Sequence, residues 1–174
     1  MLNIYRKIMV IIKIKCYIIA FLKKIILNVL YGNRIYIAKR VTWRKNFNVI
    51  IGKKGKLTIG EDCFFNNDCS INCLNRIIIG NGSIFGENVK IYDHNHRFSN
   101  FEIPIKKQGF SYGEVIIGKH CWIGSNVVML KGTKVGDNCV IAAGTVIDCD
   151  IPSNTIVKNS NLRFEKIRSI NYDA

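Results

Sequence analysis

Two histidines stand one residue apart in the stretch YDHNHRF, residues 92–98, with Asp93 before them and Arg97 after. Imidazole titrates near neutrality, so a histidine can take a proton from a hydroxyl and return it to a leaving group. Asp93 is placed to orient an imidazole or to favour its charged form. In an extended loop His94 and His96 alternate and face opposite ways, one for chemistry and one for structure. The residues themselves leave open which of Asp93 and His94 supports His96. A zinc reading needs a third ligand, and His120 is the one remaining histidine of three. The seven cysteines include no CxxC pair, so a dithiol redox motif or zinc ribbon is not indicated.

The element that must position this loop is written in a repeat of six. From Ile117 each hexad opens on an aliphatic residue: Ile117, Ile123, Met129, Val135, Ile141 and Ile147. The fifth place is small in Cys121, Val127, Thr133, Cys139 and Thr145, and the second is Gly118, Gly124, Gly136 or Ala142. The same beat runs earlier through Ile59, Phe65, Ile71 and Ile77, slips by two residues, and resumes at Ile79, Phe85 and Ile91. Neither the helical period nor the strand period gives six. One short strand and one tight turn do, and three such units close a triangular coil whose inward side chains stack into a continuous core. The fold class is therefore all-β, a parallel β-helix. Cys63, Cys69, Cys121 and Cys139 fall in the small place and read as compact buried side chains. The second-place glycines relieve crowding at turns where φ is positive.

The beat is lost between about Tyr92 and Gly113, and Ile91 and Ile117 are 26 residues apart. A polar insertion carrying His94 and His96 on a rigid coil is a common way to present function. Three parts follow: a basic N-terminal segment, 1–45; a β-helix, 46–158, with the loop 92–113 inserted; and a C-terminal cap, 159–174, that covers the open end of the coil.

Charge separates the parts further. Residues 1–56 hold 14 Lys/Arg and no acid, and the first acidic residue is Glu61. An acidic partner is expected for that third. Ile, Leu and Val recur at three- and four-residue steps in 1–31, as in one or two amphipathic helices. Such helices either cap the first coil and pack between subunits or dock on an anionic membrane surface. The longest apolar run, Cys16–Leu22, is far short of the about 20 residues that span a bilayer. No cleavable leader is read, so the expected place is cytoplasmic, with peripheral contact at the inner membrane face. Nucleic acid is not expected, since the basic third has few aromatics and no helix-turn-helix or finger pattern.

The chain resembles the hexapeptide-repeat O-acetyltransferases, the group of maltose and galactoside acetyltransferases and of capsule or lipopolysaccharide O-acetyltransferases. The likeness spans 49–158 and rests on YDHNHRF, on PIKKQG (104–109) and on the hexads from Ile117 to Val157 with Trp122 among them. It implies a left-handed coil, an acetyl-CoA co-substrate, no metal, a homotrimer and a sugar or lipid-linked glycan acceptor in surface polysaccharide synthesis. By position it implies His96 as general base in a ternary complex, with Asp93 and His94 beside it. It implies acceptor contacts from Asn66, Arg97 and Trp122. Coenzyme contacts are implied for Trp122, Gly124, Lys131, Ala142 and Lys158. Two departures stand out: no acid lies at Leu74–Asn75, where the family has a carboxylate, and the tail reads KNSNL from Lys158. The alternatives are a non-catalytic β-helix scaffold and a zinc enzyme of the γ-carbonic-anhydrase kind.

Overall fold

The computed structural model describes residues 2–158 and 163–166, and among them the side chains of 6–8, 10, 11, 14, 15 and 17–158. A single helix, α1 (Leu2–Tyr31), comes first. The coil then begins at Ile35, inside the stretch expected to be the N-terminal segment. Ile37, Trp43 and Val49 already keep the six-residue step, and all three are buried.

The first coil is β1 (Ile35–Ile37), β2 (Thr42–Trp43) and β3 (Asn48–Ile51). The second is β4 (Lys56–Ile59), β5 (Phe64–Phe65) and β6 (Ser70–Cys73). The third is β7 (Arg76–Ile79), β8 (Ile84–Phe85) and β9 (Lys90–Tyr92). A hairpin of β10 (His94–His96) and β11 (Phe110–Tyr112) interrupts the winding. The coil resumes with β12 (Glu114–Ile117), β13 (Trp122–Ile123) and β14 (Val128–Met129), then β15 (Lys134–Val135), β16 (Val140–Ile141) and β17 (Val146–Ile147). It ends in β18 (Thr155–Lys158), against which β19 (Arg163–Lys166) runs antiparallel.

These strands form three parallel sheets, the faces of a prism. The first is β1-β4-β7-β12-β15, the second β2-β5-β8-β13-β16-β18 with β19 added, and the third β3-β6-β9-β14-β17. Register stacks like on like. Phe65 pairs with Phe85, and Trp122 pairs with Ile84 below and Val140 above. β19 covers the open edge of β18, as a solenoid end requires. The rest of the expected cap, 159–162 and 167–174, lies outside the described residues.

The inward positions are the hexad openers and the small fifth places, and Cys63, Cys69, Cys121 and Cys139 are all buried there. Cys73 joins them because the third corner of the lower coils takes extra residues, the source of the two-residue slip. At the base of the second face an aromatic stack fills the core: Trp43 on Phe47 at 4.9 Å, Phe47 on Phe65 at 4.6 Å, Phe65 on Phe85 at 4.4 Å.

The corners divide labour differently from the sequence expectation. Outside glycine, positive φ falls on Arg40, Asn46, Asp62, Asp68, Asn88, His120, Asn126, Asn138 and Asn154, all between 56° and 63°. Asn and Asp tolerate this left-handed conformation best among side chains with a Cβ. The second-place glycines answer another need, the close approach of the next coil. A Cβ on Gly124 would stand 2.5 Å from the Ala143 amide nitrogen, and one on Gly118 2.6 Å from that of Asp137. His120 is one of the corner residues, on the turn between the first and second faces.

Phe65 sits in the middle of the aromatic stack, so Phe65→Ala is expected to cost about 3–5 kcal/mol by lost transfer energy and a cavity. Urea denaturation checks this, and a cost near zero would mean that the stack collapses around the gap.

Candidate active site

Strand β9 carries the chain to Asp93, which stands one place beyond the Tyr92–Asn72 pair and so directly over Cys73. That is an inward place, and Asp93 is fully buried. Its carboxylate accepts the backbone N–H of Leu74 at 2.8 Å and of Asn75 at 2.7 Å. Its own carbonyl accepts the N–H of Gly113 at 2.8 Å, and the Asn75 amide side chain donates to the Gly113 carbonyl at 2.9 Å. Both ends of the inserted loop are thereby fastened to one turn of the coil below. A buried carboxylate holding two backbone N–H groups is a strong anchor. The corner at Leu74–Asn75, which has no acid of its own, thus receives one from Asp93.

Above this anchor the hairpin pairs His94 with Tyr112, Asn95 with Ser111 and His96 with Phe110. His94 Nδ1 lies 2.9 Å from Asp93 Oδ1, and its side chain is only 15% exposed. Its ring meets Tyr92 and Phe110 edge-on, at 6.5 and 5.1 Å. His96 is exposed and lies against the Phe110 ring at 4.5 Å. The carboxylate therefore pairs with His94, while His96 is the imidazole open to a reactant. Arg97 follows at the surface, its N–H bonded to the Gly109 carbonyl at 3.0 Å. Nothing in sequence spacing announces Phe110 as the partner of His96. A signal for Asp93 was present: it stands two residues beyond the opener Ile91, on the inward side of strand alternation, as Cys73 does beyond Ile71.

The other expected residues gather elsewhere. Backbone bonds run Asn66 N–H to Phe85, Gly86 N–H to Ile123, Gly124 N–H to Ile141 and Ala142 N–H to Val157. Asn66, Gly86, Gly124, Ala142 and Lys158 thus form one column, a rung apart, where the second face turns into the third. Trp122 lies two residues before Gly124 on the outside of the second face, 57% exposed. Lys131 is not in that column. It sits on the third corner over the loop stem, where a Cβ on Gly113 would meet it at 3.2 Å. In one chain, then, Asp93, His94, His96, Arg97 and Lys131 share one corner, and Asn66, Trp122, Gly124, Ala142 and Lys158 share another edge. The third face separates them, roughly 13 Å for a four-residue strand. The remaining residues of the KNSNL stretch, 159–162, lie outside the described residues.

Chemistry by the buried thiols is disfavoured. Burial, and then the charge and hydrogen bond of Asp93, push the Cys73 thiol up to about 12. Burial pushes Cys121 up to about 11 and raises Cys63, Cys69 and Cys139 as well. Among the described residues no three His, Cys, Asp or Glu groups converge as a metal site.

A sequence model described as the hexapeptide repeat of succinyl-transferase matches residues 114–149. A probable acetyltransferase of Mycobacterium tuberculosis is 32% identical over 127 residues, 73% of this chain. The chain is a hexapeptide-repeat protein, similar in sequence to that acetyltransferase. It spans 42% of the length of that mycobacterial relative. Among solved structures, a maltose O-acetyltransferase from Clostridium difficile is 27% identical, with a TM-score of 0.60 over 80% of this chain and 73% of the other. A galactoside acetyltransferase in complex with coenzyme A is 26% identical, with a TM-score of 0.58 over 74% of this chain and 64% of the other. Within this fold, the histidine hairpin is the element that breaks the repeat, and Asp93 is what fastens it to the coil.

Two outcomes follow from this geometry. Asp93→Ala strands the Leu74 and Asn75 amides without their acceptor. Hydrogen exchange at those two amides and through β10 and β11 should quicken sharply while β13 and β16 stay protected. Uniform protection would show that the loop stem holds without the carboxylate. The raised thiols lose thiolate at neutral pH, about one part in ten thousand at pH 8 for a pKa near 12. Among the cysteines whose side chains are described, an alkylating reagent at pH 8 should therefore label half-buried Cys149 first. Cys63, Cys69, Cys73, Cys121 and Cys139 should resist until the coil is unfolded, and early labelling of Cys73 would contradict its environment.

Proposed function

We infer that this protein is an acetyl-CoA-dependent O-acetyltransferase that acts on a sugar hydroxyl. The observation that carries the reading is the exposed imidazole of His96, held on a hairpin whose base is fastened to the coil through Asp93. Its relatives are acetyltransferases, and one is described in complex with coenzyme A.

A sugar hydroxyl is a weak nucleophile until its proton is removed. His96 takes that proton as the oxygen attacks the thioester carbonyl. The tetrahedral oxyanion is stabilised by a backbone N–H or by Asn66. The C–S bond then breaks, and the imidazolium returns its proton to the departing thiolate. The products are an acetyl ester and free coenzyme A. The transfer passes through a ternary complex, in keeping with thiols that burial holds protonated. Asp93 and His94 position the hairpin from which His96 acts. Arg97, Asn66 and Trp122 bind the acceptor. Trp122, Gly124, Ala142 and Lys158 line the coenzyme's path, and Lys131 meets its phosphates.

The working unit is a homotrimer, with each site between neighbouring coils. The separation of the two residue groups within one chain supports this, since a neighbour's Trp122 edge would complete the histidine corner. The loop tip supports it too. Phe98, Phe101 and Ile105 stand exposed there, Phe101 at 99%, an apolar surface that a neighbouring subunit would cover. The acceptor is a glycan of a surface polysaccharide pathway, lipid-linked and met at the cytoplasmic membrane face.

Thiol release from acetyl-CoA over a panel of mono- and oligosaccharides tests the reading. Acceptor-dependent release is expected, falling about 10²-fold or more in His96→Ala. Release that His96→Ala leaves unchanged would remove His96 as the base. No binding of coenzyme A would move the protein to the scaffold reading.

A further inference from the structure

Helix α1 is fastened to the base of the coil by its own cations. The Lys24 ammonium donates to the Ala38 carbonyl at 2.8 Å, the Lys23 ammonium donates to the Phe47 carbonyl, and the Tyr31 hydroxyl donates to the Val49 carbonyl at 3.2 Å. Ala20 and Leu27 are buried on the same side. Burial lowers the pKa of Lys23, as expected for a cation turned into the structure.

This inward turn has an outward consequence. Lys23 and Lys24 are the only charged residues between 16 and 31. With both drawn to the coil, the opposite side of the helix carries Ile18, Leu22, Ile25 and Val29, all exposed, Val29 at 79%. Ile11 continues the same stripe, at a helical step of 100° per residue. So large an apolar face, with Lys15 at its margin, does not belong in water. Among the described residues no helix is long and apolar enough to cross a membrane.

The surroundings say what covers it. Residues 1–60 contain no Asp or Glu. Every corner of the first coil exposes cations: Lys39 and Arg40 at one, Arg44 and Lys45 at the next, Lys53 and Lys54 at the third. Arg40 is engaged by Glu61 and Asp62 of the coil above. Beside the helix runs a groove of about 470 Å³, lined by Lys15, Lys23, Arg44 and Lys45 over an apolar floor of Ile19, Trp43 and Phe47. Trp43 Nε1, buried there, has no hydrogen-bond acceptor among the described residues.

We propose that the base of the coil is a docking platform for an anionic phospholipid bilayer. The outer face of α1 enters the acyl boundary, the corner lysines meet lipid phosphates, and the cationic groove takes a headgroup. Apolar area and basic charge act together in such surface binding. A partner protein or a second copy would have to offer acids to all three corners, which the acid-free lower third of this chain does not supply. The platform does not depend on acetyl transfer, because vesicle binding is read without turnover.

The test is co-sedimentation of the full chain with phosphatidylcholine vesicles, with and without phosphatidylglycerol. Binding is expected with the anionic vesicles and should weaken as salt rises. Lys53→Gln with Lys54→Gln removes two exposed cations of the third corner, two rungs below the histidine hairpin, and vesicle binding reads their loss without turnover. Each should weaken binding about five-fold. Ile18→Ser with Leu22→Ser and Ile25→Ser alters only exposed positions and should abolish binding while circular dichroism keeps the coil signature. Equal binding to neutral vesicles, or no effect of either variant, would overturn the proposal. So would an oligomer that the Ser variant dissociates in the absence of any vesicle binding, since that result assigns the face to a second copy.

Discussion

Each inward side chain of this protein rests on the one a rung below it, and every other feature inherits its position from that stacking. Phe85 lies on Phe65, Ile123 on Phe85 and Ile141 on Ile123, with the backbone bonded rung to rung alongside them. Because the ladder is continuous, a residue's place in the hexad decides which face or corner it occupies. Small side chains are needed where the corners crowd, so cysteine and threonine fill the fifth place and their thiols are deeply buried. Glycine is needed where the next coil passes within bonding distance, as at Gly124.

A rigid ladder also explains how a loop can be inserted without disturbing the fold. Between β9 and β12 the chain leaves the coil and returns to the same register, Ile79 under Ile117. The excursion is sealed at its root by the Asp93 carboxylate and the Asn75–Gly113 bond. The cost of burying a charge there is offset by two backbone donors and by the neighbouring imidazole of His94. The same anchor separates the two histidines by environment. His94 is shielded and acid-paired, and His96 is open beside Phe110.

The base of the coil faces a different constraint. A solenoid end leaves polar backbone groups without the next rung to bond them. At the far end β19 supplies a strand. At the base a helix lies across the edge instead, and lysine ammonium groups reach carbonyls that no strand covers. The Lys23 ammonium also lies over the Phe47 ring, 5.8 Å from its centre. Cations drawn inward in this manner leave an apolar outer stripe and a surrounding rim of corner lysines, two features that come from one capping solution.

Much of this was legible in the sequence. The six-residue beat is itself the coil, because only a strand and a turn of that length can repeat its inward face. The break in the beat marked the loop, and His94, His96 and Asp93 were visible as neighbours within it. Asn66, Gly124, Ala142 and Lys158 rested on resemblance, and their alignment in one column follows from rung-to-rung register. Other features depended on contacts between distant positions. Phe110 reaches His96 only because a hairpin closes across the inserted loop. Asp93 reaches Leu74 and Asn75 only because the coil returns one rung later. The direction in which Lys23 and Lys24 point was set by carbonyls at the base of the coil, groups that no helical period in residues 1–31 could reveal. Local spacing determined the repeating unit and the chemistry it could carry. The stacking of one unit on the next decided which of those groups meet, because only tertiary register sets the partners of a buried charge.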